Sequence, residues 1–273
     1  MRSRIGLLAV AVAIAGVSAA AGTPATSPRS ALVPNAIAFR DRLDGVMGTG
    51  WQGCVNRAWH CRLQGTISVT SDGGRAWRVV LRTPRPVVSV VRQGNVYYAR
   101  IDDGETLRST DGGRRWSTTV APRPLISPCP AGMQSYISGS WALCTGQGAA
   151  GNSAKSVYRF TSAGPRRVAY TPMTGRGRGG ISSFGYPAGI SGNEQGFGVI
   201  WEDRGTLYVT RDGGHHWLGL TKLAPPDVVF GDSAYVLFRG LGFALLSTGG
   251  SEKRWLLETS DAGRTWRVVH RWR

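Results

Sequence analysis

Four stretches of this chain, residues 70–77, 109–116, 210–217 and 259–266, read Ser/Thr-x-Asp-x-Gly-x-x-Trp. Each follows a short alternating strand pattern and precedes another. A motif repeated at a nearly fixed period sets the architecture before any local reading begins. The aspartates Asp72, Asp111, Asp212 and Asp261 are 39, 101 and 49 residues apart. The long interval holds about two periods, so a fifth copy belongs near residue 161. Residues 161–168 fill that place; they keep Thr161 and Gly164 but have lost the Asp and the Trp.

The motif has the chemistry of a tight β-hairpin. An Asp carboxylate accepts N–H groups of its own turn. Glycine supplies a positive φ that side chains resist. Trp77, Trp116, Trp217 and Trp266 each start the outgoing strand and are expected to be largely buried. A motif distributed over four repeats cannot converge on one substrate, so these Asp and Trp residues are read as structural.

These residues resemble the Asp-box, or bacterial neuraminidase repeat, of sialidases, sortilin-type receptors and photosystem II assembly-factor propellers. The resemblance covers most of residues 36–273. It implies an all-β propeller of about five four-stranded blades, with the box between the third and fourth strands of each. The opening run from Ala38 to Gly45 is similar to the first strand and turn of assembly-factor repeats, with Val46 where a Trp often stands. Blades are expected over about 36–86, 87–120, 125–173, 174–222 and 223–273. Ring closure would rest on face packing of blades 1 and 5, with an open arc as the alternative. The motif occurs on enzymes and non-enzymes alike, so it implies fold and not function.

The N-terminus lies outside that pattern. Arg2 and Arg4 precede an apolar run from Ile5 to Ala21 that ends in small residues, the form of a secretory signal peptide. Residues 1–21 are read as a cleaved leader, with a retained anchor as the rival. Residues 22–35 are read as a Pro/Ser/Thr linker. No other long apolar run follows, so no stable membrane insertion is expected after cleavage. The expected location is extracellular or the cell envelope. Four cysteines in such a chain suggest two disulfides. Three pairings are possible, and the local ones, Cys54–Cys61 and Cys129–Cys144, are favoured. No ligand spacing supports zinc.

The net charge is +17, and all but Lys155, Lys222 and Lys253 among the 33 basic residues are arginine. A basic exterior attracts polyanions. Outside the cell these are acidic glycans and anionic cell-wall polymers. No nucleic-acid-binding motif is present, so nucleic acid is not expected. No cofactor or metal is expected, and the chain is read as a monomer.

In propellers of this kind the box hairpins and the turns between strands one and two share one face. The inter-blade connections and the turns between strands two and three share the other. The second face collects Arg85, Arg123, Arg176 and Arg178, with Asp102, Asp103, Glu202 and Asp203. These are the candidate ligand-binding residues. The glycines around Arg176 and Arg178 suggest a mobile backbone there.

The sialidase resemblance would imply an arginine triad, a Tyr–Glu nucleophile pair and an acidic acid/base residue. The Phe/Tyr-Arg-Ile-Pro motif of that family is replaced by Phe39-Arg40-Asp41-Arg42. A glycoside hydrolase could still use Asp103 with Glu202 if their carboxyls stood about 5 Å or 6.5–9.5 Å apart. The histidines find no Ser or Cys nucleophile partner, and no Gly-x-Ser-x-Gly motif is present. The leading reading is a secreted, non-catalytic propeller that binds a protein or an anionic glycan. The alternative is a sialidase-like or other glycoside hydrolase.

Overall fold

The computed structural model describes residues 33–54, 61–120, 127–202, 207–220, 228–236, 240–248 and 253–272. Residues 1–21, read as a leader, most of the segment read as a linker, Arg123, Lys222, Asp203 and the side chains of Cys54 and Cys61 lie outside the described residues. The described residues form strands and turns without a helix, and no helix there is long and apolar enough to cross a membrane.

Among the described residues twenty strands form five four-stranded antiparallel sheets in chain order, the blades of a β-propeller. Blade 1 holds β1 (Val33–Phe39), β2 (Gly45–Cys54), β3 (Cys61–Thr70) and β4 (Arg78–Thr83). Its first strand begins inside the segment read as linker. Blade 2 holds β5 (Val87–Gln93), β6 (Val96–Ile101), β7 (Thr106–Ser109) and β8 (Ser117–Thr119). Blade 3 holds β9 (Gln134–Ser138), β10 (Trp141–Thr145), β11 (Lys155–Thr161) and β12 (Gly164–Thr171). Blade 4 holds β13 (Pro187–Gly192), β14 (Gly198–Glu202), β15 (Leu207–Thr210) and β16 (Leu218–Leu220). Blade 5 holds β17 (Val228–Val236), β18 (Gly242–Thr248), β19 (Arg254–Thr259) and β20 (Arg267–Trp272). Cys129 and Cys144 are bridged, tying the segment before β9 to β10. Cys54 and Cys61 face each other in the β2–β3 register.

The four hairpins share one hydrogen-bond network. The Ser/Thr hydroxyl donates to the Asp carboxylate at 2.8–2.9 Å and accepts the second glycine's N–H at 2.9–3.0 Å. The Asp accepts the N–H four residues on, from Ala76, Arg115, His216 and Thr265. The indole N–H of Trp77, Trp116 and Trp217 donates back to the carbonyl of the second glycine. That of Trp266 finds no acceptor among the described residues.

The second glycine has a further role that the sequence did not reveal: it presses onto the preceding blade. A Cβ there would meet Leu256 at 2.3 Å from Gly74, Val46 at 2.6 Å from Gly113 and Val168 at 2.7 Å from Gly214. Each also has a positive φ of 85–90°, so space and backbone both demand glycine. The motif thus builds the seams between blades as well as its own turn.

Core clusters follow the same seams. Val46 and Ile67 of blade 1 pack with Val87, Tyr97 and Ala99 of blade 2. Trp141 and Val157 of blade 3 pack with Ile190, Ile200 and Trp217 of blade 4. Val199 and Val209 of blade 4 meet Ala244, Leu246 and Trp255 of blade 5. Phe39 and Met47 of blade 1 meet Phe243, Leu245 and Leu256 of blade 5, so the ring closes by face packing. Arg42 of blade 1 adds an ion pair at 2.7 Å to the buried Glu258 of blade 5, which Arg267 also holds.

Among the described residues no such cluster joins blades 2 and 3. The worn fifth copy explains this. Pro165 stands where the wedging glycine would be, and β11 turns directly into β12. Val168, in the Trp position, packs toward blade 4 instead.

Burial of the motif tryptophans departs from expectation. Trp217 is 6% exposed, whereas Trp77, Trp116 and Trp266 are only partly buried. Trp217 gains cover from Trp141, edge-on at 5.9 Å. The backbone of Gly179 also lies against it and accepts its N–H at 2.7 Å.

Replacing Asp72, Asp111, Asp212 or Asp261 by Ala is expected to cost about 1–3 kcal/mol each through stranded turn donors. Their carboxyls also give an acid signature. The Ala76 and Arg115 N–H groups lead the lowering at Asp72 and Asp111. At Asp261 the Thr265 N–H leads and brings the pKa to about 2. At Asp212 partial burial pushes upward, but the His216 N–H, its ring and Thr210 prevail, again giving about 2. Folded values below the unfolded one mean stability present above about pH 4 and lost as pH falls toward 2. Urea titrations of the Ala variants at pH 7 and pH 3 check this. Variants as acid-sensitive as the parent would contradict it.

Candidate functional site

The two faces sort as the repeat predicts. On one, Gly73, Gly213 and Ala262 of the hairpins donate to Leu43, Gly196 and Gly240 in strand one-to-two turns. On the other, Asp102 in the β6–β7 turn donates to Pro86 in the β4–β5 connection. We call these the hairpin face and the connection face.

Arg85, Arg176, Arg178, Asp102 and Asp103 are exposed; Arg85, Asp102 and Asp103 belong to the connection face, whereas Arg178 precedes Gly179 and Gly180, which lie against the backbone of the Trp217 hairpin. Asp103 caps its own turn through the Glu105 N–H at 3.0 Å. The segment carrying Arg176 and Arg178 is not loose, contrary to expectation. Ser183 donates to Gly175, Gly177 to Ile181, and Tyr170 to Arg178. Its glycines serve close approach: a Cβ on Gly177 would lie 1.8 Å from the Tyr170 carbonyl. The two arginines therefore project from a fixed hairpin.

Glu202 corrects a second expectation. It is 1% exposed, not part of an open rim, and pairs at 2.7 Å with Lys155, which is fully buried. Lys155 Nζ also donates to the carbonyls of Ser182 and Phe184 at 2.7 and 3.1 Å. The pair thus fastens the 175–186 connection onto blades 3 and 4. Gly185 leaves room for it, since a Cβ there would stand 2.5 Å from Glu202 Oε2. Tyr208 lies beside the pair, its hydroxyl accepting the Ser182 N–H at 3.3 Å. Burial raises the Tyr208 pKa and the Glu202 charge adds to this, with smaller opposing effects from Ser182 and Arg176. Lys155 was missed from sequence; its signal was to be one of three lysines among 33 basic residues that are otherwise arginine. Asp103 and Glu202 stand in the non-adjacent blades 2 and 4, one exposed and one buried, so they are not paired.

The first strands of blades 1 to 4, with Trp201, surround a central channel of about 410 Å³. In blades 1, 2 and 4 these strands carry a register shift near their start, and the extra residues Asn35, Val88 and Ala188 line the channel. Bulges of this kind re-aim side chains. Arg92 lines it too, near the hairpin face, and the described lining residues include no Asp or Glu; the side chains of β17, the first strand of blade 5, lie outside the described residues. A second cavity of about 380 Å³ lies between the hairpins of blades 1 and 2, beside Asp72, Asp111, Arg40 and Arg114. Its carboxylates Asp72 and Asp111 are engaged in their turns. Among the described residues no group of three or more His, Cys, Asp or Glu could hold a metal ion.

No protein-family model matches this chain, and no curated protein matches it. Solved structures do. The structure of YCF48 bound to D1 peptide aligns at 16% identity over 87% of this chain and 82% of its own, with a TM-score of 0.30. YCF48 from Cyanidioschyzon merolae aligns at 14% identity over 87% and 84%, with a TM-score of 0.34. The GH74 xyloglucanase from Xanthomonas campestris aligns at 13% identity over 84% of this chain and 38% of its own, with a TM-score of 0.36.

Proposed function

We propose that this is a secreted Asp-box propeller that binds an acidic protein or anionic glycan on its connection face and catalyses no reaction. One observation carries the reading. Arg85, Arg176 and Arg178 are exposed with no carboxylate partner among the described residues, and Glu202 is committed to Lys155. Free guanidinium groups clamp carboxylates, sulfates and phosphates in two-point fashion. The rigid hairpin under Arg176 and Arg178 lowers the ordering cost of binding. The leader pattern and the Cys129–Cys144 bridge support an oxidising compartment outside the cytoplasm.

A glycan array and calorimetry with an acidic polysaccharide test this. Affinity is expected to fall as salt shortens the Debye length from about 10 Å at 0.1 M to 3 Å at 1 M. The double substitution Arg176→Ser/Arg178→Ser is expected to weaken binding more than Arg75→Ser/Arg264→Ser on the hairpin face. Equal losses would reduce the effect to diffuse charge.

The hydrolase reading draws on one feature, the closeness of Tyr208 to Glu202. Tyr208 is 5% exposed and Glu202 1%, so neither reaches a glycosidic bond without rearrangement. Turnover of an aryl sialoside that Glu202→Gln abolishes would restore that reading.

A further inference from the structure

We propose that the facing sheets of blades 2 and 3 form a second binding surface, separate from the connection face, for an extended acidic polysaccharide of the uronate type. One recurring position sets their seam apart: the residue before the Ser/Thr of each intact hairpin motif. In blades 1 and 4 it is Val69 or Val209, packed against the core shared with the next blade. There the next hairpin's second glycine wedges onto it; a Cβ on Gly113 or Gly263 would meet it at 3.1 or 3.0 Å. In blade 5 it is Glu258, held by Arg42 of blade 1. In blade 2 it is Arg108, which is exposed. The next hairpin brings it no wedge, since Pro165 stands where the glycine would be. Strand register extends the contrast. Arg108 is opposite Tyr98, two residues from Arg100, so these three share the face turned away from blade 1. Their alternates Tyr97, Ala99 and Leu107 are the ones in the blade 1 core. Val91, opposite Tyr98 on β5, shares that outward face and is 42% exposed.

Blade 3 answers with the same chemistry. Val157 and Ala169 face blade 4, so Tyr158 and Arg167, paired across β11 and β12, and Tyr170 turn the other way. Tyr170 is 40% exposed, and Arg167 lies over its ring at 4.7 Å. From Gly112 to Asn193 the sequence holds nine Lys or Arg and no Asp or Glu. Blade 3 and the link at 121–126 therefore bring no carboxylate to the seam. Arg100 and Arg108 are diagonal neighbours on β6 and β7, about 7–8 Å apart. Neither guanidinium has an ion pair or hydrogen bond with a described residue, Asp102 and Asp103 in the turn beyond included. Like charges so placed repel, and a bound anion relieves this. Both walls are sheet faces whose strands already pair with one another, so they offer no open ladder to a peptide backbone. A sugar ring needs none. Its C–H face can lie on a tyrosine ring, which is apolar in body and polar at its tip, while guanidinium groups take uronate carboxylates in two-point fashion.

Calorimetry with oligogalacturonate tests the surface, with its methyl ester as the uncharged control and polyglutamate as the acidic peptide. Titrations are run on the parent and on Arg176→Ser/Arg178→Ser. Binding that survives the second belongs to the seam, so the two sites fail or stand separately. Saturable binding of oligogalacturonate is expected in both, tighter than the ester and tighter than polyglutamate. Added to Arg176→Ser/Arg178→Ser, Arg100→Gln/Arg108→Gln is expected to weaken oligogalacturonate about tenfold or more, the worth of one charge-assisted contact, while leaving the ester unchanged. Tyr170→Ala is expected to weaken both sugars. Circular dichroism reports that each variant folds. Absence of saturable binding by the folded Arg176→Ser/Arg178→Ser protein would overturn the proposal. So would undiminished affinity in Arg100→Gln/Arg108→Gln or in Tyr170→Ala, or polyglutamate bound as tightly as oligogalacturonate.

Discussion

Phe39→Ala is expected to cost about 3–5 kcal/mol, the range for truncating a fully buried aromatic. Phe39 is 0% exposed and stacks on Phe243 with centroids 3.6 Å apart, with Trp77 edge-on at 6.1 Å. Gly45 is bare because the Phe39 ring fills its Cβ position at 2.6 Å. This ring stack sits where the last blade meets the first, so its loss opens a cavity at the point of closure. A loss of this size is a large share of a typical domain's stability of about 5–15 kcal/mol. Urea unfolding followed by tryptophan fluorescence measures it, with Val120→Ala at an 89% exposed position as the neutral control. A Phe39→Ala loss below about 1 kcal/mol would mean that the blade 1–blade 5 seam does not hold the ring.

Lys155→Met is expected to cost about 3–5 kcal/mol, because it strands the Glu202 charge in the interior. The deficit should depend on pH. An unpaired buried carboxylate prefers to be protonated, so its folded pKa rises above the unfolded value of about 4.3. Stability of the variant is then least impaired near pH 4 and falls as pH rises past that value. The double variant Lys155→Met/Glu202→Leu removes both charges and should regain much of the loss, since apolar replacement of a buried pair is often neutral. The double-mutant cycle isolates the coupling. Strictly additive losses would show that the two side chains do not act as a pair. The single variant should also weaken binding through Arg176 and Arg178, because Lys155 holds the Ser182 and Phe184 carbonyls beneath their hairpin.

The sequence alone determined what local chemistry controls. The Ser/Thr, Asp, Gly and Trp of each repeat meet within eight residues, so hairpin, strand period and blade count could be read by eye. The Cys129–Cys144 pairing was legible for the same reason, its partners lying 15 residues apart. The worn copy at 161–168 was legible as well, but that it leaves no wedging glycine between blades 2 and 3 was not. Tertiary structure decided everything that depends on neighbours distant in the chain. Glu202 reads as a turn carboxylate, and only the approach of blade 3 buries it against a lysine 47 residues earlier. The glycines around Arg176 read as looseness until the chain folds back and shows that they admit backbone at contact distance. The wedging role of Gly74, Gly113 and Gly214 exists only against the preceding blade. The channel belongs to no blade: it forms where four separate first strands come together. Hairpin chemistry is short-ranged and repeats with the sequence, whereas burial, charge pairing and cavities are properties of surfaces brought together by ring closure.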